Sequence, residues 1–214
     1  LATGAALRKA IGARPVLLFA STREGEEALI LQALREGRSE LPANLLMLIV
    51  PRHPQRFDEV ARMVGEAGLN VQRRSALTLD AASTAAVAIP AYIDVLLGDS
   101  MGEMFAYYAA CDCAFVGGSL LPLGGQNLIE PAALGKPVLI GPHTFNFAES
   151  TDDAVAAGGA QRVADAAALV TAGARLLRDD AARAAMGEGA LAFANRYRGA
   201  TRRTLALLAP LIKR

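Results

Sequence analysis

The strongest constraint on the fold is a set of short, uninterrupted apolar runs. Residues 45–50 read LLMLIV and end at Pro51, residues 15–20 read PVLLFA, and residues 111–116 form a similar run with one polar residue, Asp112. Such runs without alternating polar residues are typical of strands that are buried on both faces of a parallel sheet. Stretches of helical length separate them, so strands alternate with helices along the chain. The sequence therefore predicts an α/β fold, a Rossmann-like parallel sheet with helices on both faces.

The remaining elements continue this alternation. Further strands are predicted at residues 70–74, 92–97, 137–140 and 160–163, and helices at residues 24–36, 55–67, 101–110, 128–134 and 148–157. From Asp165 the chain is rich in Ala, Leu and Arg and is predicted to be helical to its end. Residues 75–91 lack clear periodicity and are predicted to form a surface excursion. Because no repeat or low-complexity linker interrupts the chain, residues 1–214 are predicted to form one domain.

Composition and charge narrow the class of protein. Hydrophobic residues make up 53% and charged residues 20%, which is typical of a globular chain. The 22 basic and 21 acidic residues leave a net charge of +1, which argues against a nucleic-acid-binding surface. No apolar run approaches the roughly 18 residues that span a bilayer, and residues 1–13 lack the pattern of a signal peptide. Leu1 is not an initiator methionine, so we expect a piece of a longer chain.

The two cysteines, Cys111 and Cys113, are separated by one residue in a predicted strand, where side chains two apart share a face. Too few other ligands lie nearby for zinc, and His53 and His143 are far apart in sequence. We therefore predict no metal site and two buried, reduced thiols, which fits a cytosolic compartment.

A glycine-rich segment follows the strand at residues 111–116. It contains Gly117-Gly118-Ser119, then Gly124-Gly125-Gln126-Asn127, and it leads to Glu130 in a short predicted helix. A strand, glycine loop and helix in this order point backbone N–H groups at an anion, and glycine lets a ligand approach the backbone closely. Glu130 is suited to accept hydrogen bonds from the two hydroxyls of a ribose. The alternative is a mobile surface loop in which Asn127 caps the helix.

Other candidate residues also follow predicted strands, and parallel sheets bind ligands at the carboxyl ends of their strands. These residues are Ser21, Arg52, Asp99, Gly117 and His143. Arg52 is a permanent cation that suits a phosphate or carboxylate, and the alternative is a solvated charge in a turn.

Two helices have candidate N-terminal capping residues, and one of them has a glycine near its start. Helix 24–36 is predicted to be capped by Ser21 or Thr22, and helix 101–110 by Asp99 or Ser100. Gly102 costs stability inside a helix, which indicates that something approaches it closely.

Several motifs of known enzyme classes are absent. The chain has no G-x-G-x-x-G after its first strand, no phosphate-binding G-x-x-x-x-G-K-[ST] and no D-x-D pair. No general base stands out beside a nucleophile. The residues therefore predict a binding site without a complete catalytic set.

Six motifs follow one another between about residues 15 and 200. They are Ser21-Thr22 with Glu24-Gly25-Glu26-Glu27, Pro51-Arg52-His53-Pro54 with Arg56, Gly98-Asp99-Ser100-Met101-Gly102-Glu103, Gly117-Gly118-Ser119, Gly124-Gly125-Gln126-Asn127 with Glu130, and Gly141-Pro142-His143-Thr144-Phe145-Asn146-Phe147. Together they resemble the carboxy-terminal half of 3-deoxy-D-manno-octulosonic acid (Kdo) transferases. One departure is Gln126, where many relatives carry His, so we assign this position no acid–base role.

The resemblance implies a glycosyltransferase of the two-domain GT-B type, in which this half binds the donor CMP-Kdo. It implies CMP contacts at Pro51, Arg52, Met101, Gly102, Glu103, Asn127, Leu128, Ile129 and Glu130. Further candidate donor contacts are Ser21, Ser119, Gly124, Gly125 and His143.

The implied reaction is inverting transfer of Kdo to the lipid A precursor, with release of CMP and without a metal or cofactor. The general base of the family is a carboxylate of the amino-terminal half, so this chain is expected to contain no catalytic residue. The whole enzyme is expected at the cytoplasmic face of the bacterial inner membrane, held there by the other half, while this half is soluble. The terminal helix at about residues 199–213, with apolar Leu205, Leu207, Leu208 and Leu211, is expected to pack on the other domain.

Two alternatives remain at this stage. The first keeps the fold and changes the chemistry to a UDP-sugar epimerase or another nucleotide-sugar transferase of GT-B type. The second is a non-enzymatic nucleotide-binding module whose glycine loops form an anion nest.

Overall fold

The computed structural model describes residues 2–79 and 88–197, together with Leu205 and Leu208. Its strands are β1 (Val16–Thr22), β2 (Leu46–Pro51), β3 (Val71–Arg73), β4 (Val95–Leu97), β5 (Cys113–Val116), β6 (Val138–Ile140) and β7 (Ala160–Arg162). Its helices are α1 (Ala2–Ile11), α2 (Glu26–Glu36), α3 (Phe57–Glu66), α4 (Met104–Ala110), α5 (Ile129–Ala133), α6 (Ala148–Ala156), α7 (Ala166–Arg178) and α8 (Asp180–Tyr197). Short 3₁₀ turns occur at Arg38–Glu40, Pro54–Arg56, Arg74–Ala76 and Phe145–Phe147.

The strands of the described residues form one seven-stranded sheet in the order β3-β4-β2-β1-β5-β6-β7, and every pairing is parallel. The chain moves outward from β1 in one direction through β2, and in the other through β5, β6 and β7. This reversal places a crevice at the carboxyl ends of β1 and its neighbours, which is where open α/β sheets bind ligands. The predicted fold class is confirmed, and all seven predicted strands are present.

Helices cover both faces of the sheet because side chains alternate along each strand. Leu17 and Phe19 of β1 face a core that α2, α3 and α7 complete. Leu18 and Ala20 face the opposite core, which contains residues of α1 and α4. A third cluster joins β6 to α5, α6 and α8. The continuous apolar strands are therefore explained by burial on both sides. In the described part of the chain, no helix has both the length and the apolar character to cross a bilayer.

The amino-terminal helix was not predicted. Leu7, Ala10 and Ile11 of α1 are buried, and α1 packs on α4. A Cβ at Gly4 would lie 2.6 Å from the Ala109 Cβ, so the two helices are in close contact. The small residues that permit this contact also weaken the apolar periodicity by which a helix is recognised in a sequence.

The predicted surface excursion at residues 75–91 is only partly confirmed. Leu77 and Ile89 are buried at 6% and 5% exposure and belong to the same core as α1. Ile89 N–H also donates to the Ala10 carbonyl at 2.8 Å. Residues 80–87 of the predicted excursion lie outside the described residues.

The predicted caps of α2 and α4 are wrong. Gly25, with a φ of 89° and no side chain, precedes α2. Glu103 precedes α4, and its side chain does not cap that helix. Ser21 instead lies within β1, and Asp99 accepts hydrogen bonds from the backbone and side chain of Ser75. Both helices begin later than predicted, since the segments before them extend to Gly25 and Glu103.

The cysteines are free and buried, as predicted, but they do not share a face. Cys111 belongs to the core of α1 and α4, and Cys113 to that of α2 and α7. Cys111 follows α4 and precedes β5, so the strand periodicity assumed for the pair does not apply.

We expect both thiols to be unreactive in the folded protein. Burial raises the pKa of Cys111 to about 12 and also raises the pKa of Cys113. A disulfide reagent at about pH 8 should therefore label both thiols only after unfolding. Each folded-state pKa lies above the unfolded value of 9.0, so the folded protein favours the neutral thiols. Their contribution to the free energy of unfolding is complete below pH 9.0 and is lost as the pH rises toward 12. Thermal melts above pH 9 should show the loss, and rapid labelling of the native protein would contradict the expectation.

The predicted terminal helix at residues 199–213 lies largely outside the described residues. Leu205 and Leu208 are helical and exposed, at 58% and 41%. Their packing on another domain, like the prediction of one domain over residues 1–214, stays a prediction.

Candidate functional site

A cavity of about 270 Å³ opens at the carboxyl ends of β1 and β2, beside the amino-terminal ends of α4 and α5. Its walls combine polar groups with apolar surface. The lining residues are Ser21, Val50, Pro51, Arg52, Ser100, Met101, Gly102, Met104, Tyr107, Tyr108, Gln126, Asn127 and Glu130. The cavity therefore lies where the strand order predicts a ligand site.

Ser21 forms part of the wall at the end of β1 and has an unusual backbone conformation. Its φ is 55°, the one positive value of a non-glycine residue in the described part of the chain. The pairing of β1 with β2 shifts register there, between Ala20 and Thr22. A Cβ at Gly117 would lie 2.6 Å from the Ser21 carbonyl oxygen, so only glycine fits opposite this bulge. Strained conformations of this kind are concentrated at functional sites.

Arg52 provides the positive charge of the cavity. Its backbone N–H donates to the Thr22 carbonyl at 2.9 Å, which fixes the chain between β1 and β2. The side chain is exposed, and its guanidinium makes no ion pair with any residue that the structure describes. It is thus available to an anionic group of a ligand.

Asn127 and Glu130 form a pair at the start of α5. Asn127 Oδ1 accepts from the Ile129 N–H at 3.0 Å, and Asn127 Nδ2 donates to Glu130 Oε1 at 3.2 Å. Asn127, which the alternative made a helix cap, therefore accepts from the first N–H of α5, although Leu128 occupies the N-cap position, and its amide orients the Glu130 carboxylate. Glu130 Oε2 makes no hydrogen bond with a described residue and can accept from a ligand hydroxyl.

The segment before α4 presents an open backbone to the cavity. Met101 is 64% exposed, and a Cβ at Gly102 would meet no atom within 4 Å. Gly102 has a φ of 77° and precedes α4, so its glycine is explained by the left-handed backbone and not by a helical position. Glu103 points elsewhere, to Arg74 at 2.8 Å and to the Ser100 hydroxyl.

Gly102→Ala should lower the free energy of unfolding by about 1 kcal/mol, because an L-residue is disfavoured in the left-handed region. Gly65→Ala is the matched control, since Gly65 in α3 also has free space but no positive φ. That change should stabilise the protein by about 0.5–1 kcal/mol. Urea unfolding measures both, and equal effects at the two positions would contradict the backbone explanation.

Three lining side chains of α4 were missed in the sequence. Met104, Tyr107 and Tyr108 are spaced i, i+3 and i+4, so they share one face of the helix. The Tyr107 hydroxyl bonds to the Ser100 hydroxyl, and burial raises the pKa of Tyr107 to about 12. Burial, followed by the negative charge of Glu130, raises the pKa of Tyr108. The helical spacing of these residues was the available signal, but it equally indicates an ordinary core face.

The glycine loop after β5 does bind an anion, but the anion belongs to the protein. The fully buried Glu26 carboxylate accepts from the N–H groups of Gly118, Ser119 and Leu120 at 2.7, 2.9 and 2.9 Å. It also accepts from the Arg23 N–H at 2.9 Å. The expectation that these loop N–H groups face a ligand is therefore wrong.

Ser119 ties this loop to the next strand. Its hydroxyl donates to the Val116 carbonyl at 2.6 Å and accepts from the Gly141 N–H at 2.9 Å, and its own carbonyl accepts from the His143 N–H at 3.0 Å. Gly124 and Gly125 pack against the loop at residues 143–146, where a Cβ at Gly124 would lie 2.1 Å from Asn146 Nδ2. The loop at 117–120 is buried, which excludes the alternative of a mobile surface loop there.

Comparisons with known proteins agree with this geometry. No protein-family model matches the chain. The 3-deoxy-D-manno-octulosonic acid transferase of Bordetella pertussis is 50% identical over 91% of the chain and 44% of the relative, and that of Haemophilus influenzae is 40% identical over 94% and 45%. The crystal structure of the C-terminal CMP-Kdo binding domain of WaaA from Acinetobacter baumannii is 34% identical, with a TM-score of 0.73 over 84% of this chain and 89% of that one. The chain belongs to the Kdo transferase family.

The chain spans about half the length of the curated Kdo transferases that it matches. A more distant structure, Anabaena HepE in complex with UDP-glucose, is 16% identical and has a TM-score of 0.63 over 91% of this chain and 48% of that one. That similarity shows the fold alone. The sheet and its helices are therefore one half of a GT-B fold.

For this Kdo transferase chain, about half of the predicted site residues lie together. Those that line the cavity are Ser21, Pro51, Arg52, Met101, Gly102, Asn127 and Glu130. Gln126, for which we predict no acid–base role, also lines the cavity. Those outside the lining are Glu103, Leu128, Ile129, Ser119, Gly124, Gly125 and His143. The Leu128 and Ser119 side chains are fully buried. Donor contact by any of the predicted residues stays a prediction.

Proposed function

We propose that this chain is the donor-binding half of a Kdo transferase and that CMP-Kdo binds in the cavity beside β1 and β2. The observation that carries the proposal is the convergence of Arg52, Gly102 and Glu130, from three separate segments, on one cavity. The similarity to the solved CMP-Kdo binding domain of WaaA supports the same ligand.

The chemistry of the lining suits each part of CMP. Glu130, held by Asn127, can accept from the ribose hydroxyls. Arg52 can offset the phosphate charge, and the open backbone at Gly102 lets the ligand approach. The Pro51 carbonyl can accept from the cytosine amino group. Tyr107 and Tyr108 supply apolar surface at the base of the cavity.

We propose that the whole enzyme transfers Kdo, with inversion, to the lipid A precursor and releases CMP. The leaving group carries one phosphate, which Arg52 and backbone dipoles can stabilise, so the proposed transfer needs no metal ion or cofactor. The acceptor and the general base belong to the other half, as does attachment to the cytoplasmic face of the inner membrane. This chain alone should bind the donor nucleotide without catalysing transfer.

Calorimetric titration of the 214-residue chain with CMP, and then with UMP, AMP and NAD as competitors, tests the proposal. We expect a clear preference for CMP. Tighter binding of UMP would favour a UDP-sugar enzyme of the same fold. Absence of CMP binding in the chain joined to its amino-terminal half would refute the donor site.

A further inference from the structure

Glu26 is a buried carboxylate that the proposed CMP contacts do not use. It lies in the first turn of α2, is 0% exposed, and both of its oxygens accept backbone hydrogen bonds. All four contacts come from N–H donors, as an ionised carboxylate requires. Glu26 therefore places a negative charge inside the protein at the carboxyl end of β5.

The N–H groups that hold Glu26 form an anion-binding nest. They belong to three consecutive residues, Gly118, Ser119 and Leu120, directly after a parallel strand. Gly118 has a φ of 68°, in the left-handed region, and this conformation makes successive backbone N–H groups converge on one anion. A nest of this kind commonly binds the phosphates of a nucleotide. In this protein the Glu26 carboxylate occupies the nest.

The nest adjoins the wall of the proposed donor cavity. A Cβ at Gly118 would lie 3.4 Å from the side-chain amide of Gln126, and the neighbouring Gly117 packs on the Ser21 carbonyl. Both Gln126 and Ser21 line the cavity. A nucleotide that extended beyond its first phosphate toward this wall would meet a filled nest and a like charge.

The cavity itself offers little positive charge for a second phosphate. Among the lining residues that the structure describes, Arg52 carries the one positive charge and Glu130 carries a negative one. One phosphate can be offset by Arg52, whereas a diphosphate would add charge that no lining cation balances.

We infer that Glu26 determines phosphate number at the donor site. By filling the nest, its carboxylate favours nucleotides with one phosphate and disfavours nucleoside diphosphates. This inference rests on the proposed function, because it concerns the same cavity.

The test compares CMP with CDP in calorimetric titrations of the wild type, Glu26→Ala and the matched control Glu27→Ala. Glu27 is adjacent and equally buried, but it pairs with Arg56 and does not touch the nest. In the wild type, CDP should bind no more tightly than CMP. In Glu26→Ala the affinity of CDP relative to CMP should rise by about tenfold or more, since the freed N–H groups can take the second phosphate. In Glu27→Ala the ratio should stay at the wild-type value.

Additional measurements cover two cases: a Glu26 variant that does not fold, and a donor site that prefers a nucleotide other than CMP. Circular dichroism checks folding, and Glu26→Ser, whose short side chain also leaves the nest open, replaces Glu26→Ala if the latter does not fold. If UMP proves the better ligand, UMP and UDP give the same comparison. Inorganic pyrophosphate carries no nucleobase, so it tests the nest independently of the nucleotide. It should bind to Glu26→Ala and not to the wild type. Tighter binding of CDP than CMP by the wild type, or an unchanged ratio with no pyrophosphate binding in a folded Glu26 variant, would overturn the inference.

Discussion

Glu130→Gln is expected to weaken CMP binding by roughly 10- to 100-fold, because a hydrogen bond to a charged group is worth about 1.5–3 kcal/mol. Glutamine keeps the length of the side chain, and its carbonyl can still accept from Asn127 at the position of Glu130 Oε1. The variant should therefore fold normally and lose only the charge presented to the ribose. Calorimetry gives the affinity, and thermal melting checks the fold.

A matched pair of ligands assigns this loss to the ribose. If Glu130 accepts from the 2′-hydroxyl, then 2′-deoxy-CMP should bind the wild type weakly but bind Glu130→Gln about as well as CMP does. The two changes would then be strongly non-additive, as expected for groups in contact. Glu149→Gln, an exposed glutamate of α6, serves as the control and should leave CMP affinity unchanged. Equal CMP affinity in Glu130→Gln and the wild type would remove Glu130 from the site.

Arg56→Met is expected to have the largest effect on stability, at about 3–5 kcal/mol, because it leaves a buried carboxylate unpaired. Arg56 donates to Glu27 Oε1 at 2.7 Å, and the Glu27 side chain is 0% exposed. Burial opposes the positive charge of Arg56, but its hydrogen bonds to Glu59 and Glu27 outweigh burial and raise its pKa. The other oxygen of Glu27 has no partner among the described residues, so Arg56 supplies most of its compensation.

The chain provides an internal control for this prediction. Arg62 and Glu66 form an ion pair whose side chains are 63% and 61% exposed. Arg62→Met should therefore cost no more than about 0.5 kcal/mol. Combining Glu27→Gln with Arg56→Met should recover much of the stability, because the unpaired charge is gone. If urea unfolding gives similar small losses for Arg56→Met and Arg62→Met, the buried pair does not contribute as its geometry implies.

The sheet was predictable because the apolar runs are continuous. The five inner strands and most helices could be identified because these strands are buried on both faces and each helix returns across the sheet, whereas the edge strands β3 and β7 are only partly buried. α1 was not predictable, since its contact with α4 depends on small residues such as Gly4 and Ala109, which carry no strong periodic signal. The caps failed for a different reason. Ser21, Asp99 and Ser100 are suitable caps by type, but Ser21 lies within β1, and Asp99 and Ser100 bond to Ser75 and Glu103.

The cavity was partly predictable from the sequence. Arg52 was found because polar residues directly after buried strands converge in a parallel sheet, and Glu130 because it lies in the helix that follows the glycine-rich segment. Tyr107 and Tyr108 were missed because a residue that lines the base of a cavity has the same spacing as one in a solid core. Glu26 was recognised as part of a motif, but its three partners in the glycine loop are 92 to 94 residues away along the chain. Such a contact has no local signature.

The position of Ser119 has a consequence for motion. Through its hydroxyl, its N–H and its carbonyl, this one residue connects α2, the loop after β5 and the loop after β6. Opening of α2 or of the loop after β6 would break hydrogen bonds to Ser119 in the loop after β5, so the three segments should behave as one cooperative unit. In hydrogen-exchange measurements the amides of Gly118, Ser119, Leu120 and Gly141 should exchange together and only on global unfolding. On the other side of the cavity the Arg52 backbone is bonded to Thr22, but its exposed side chain makes no ion pair with a described residue, so the movement that admits the nucleotide should occur in this side chain.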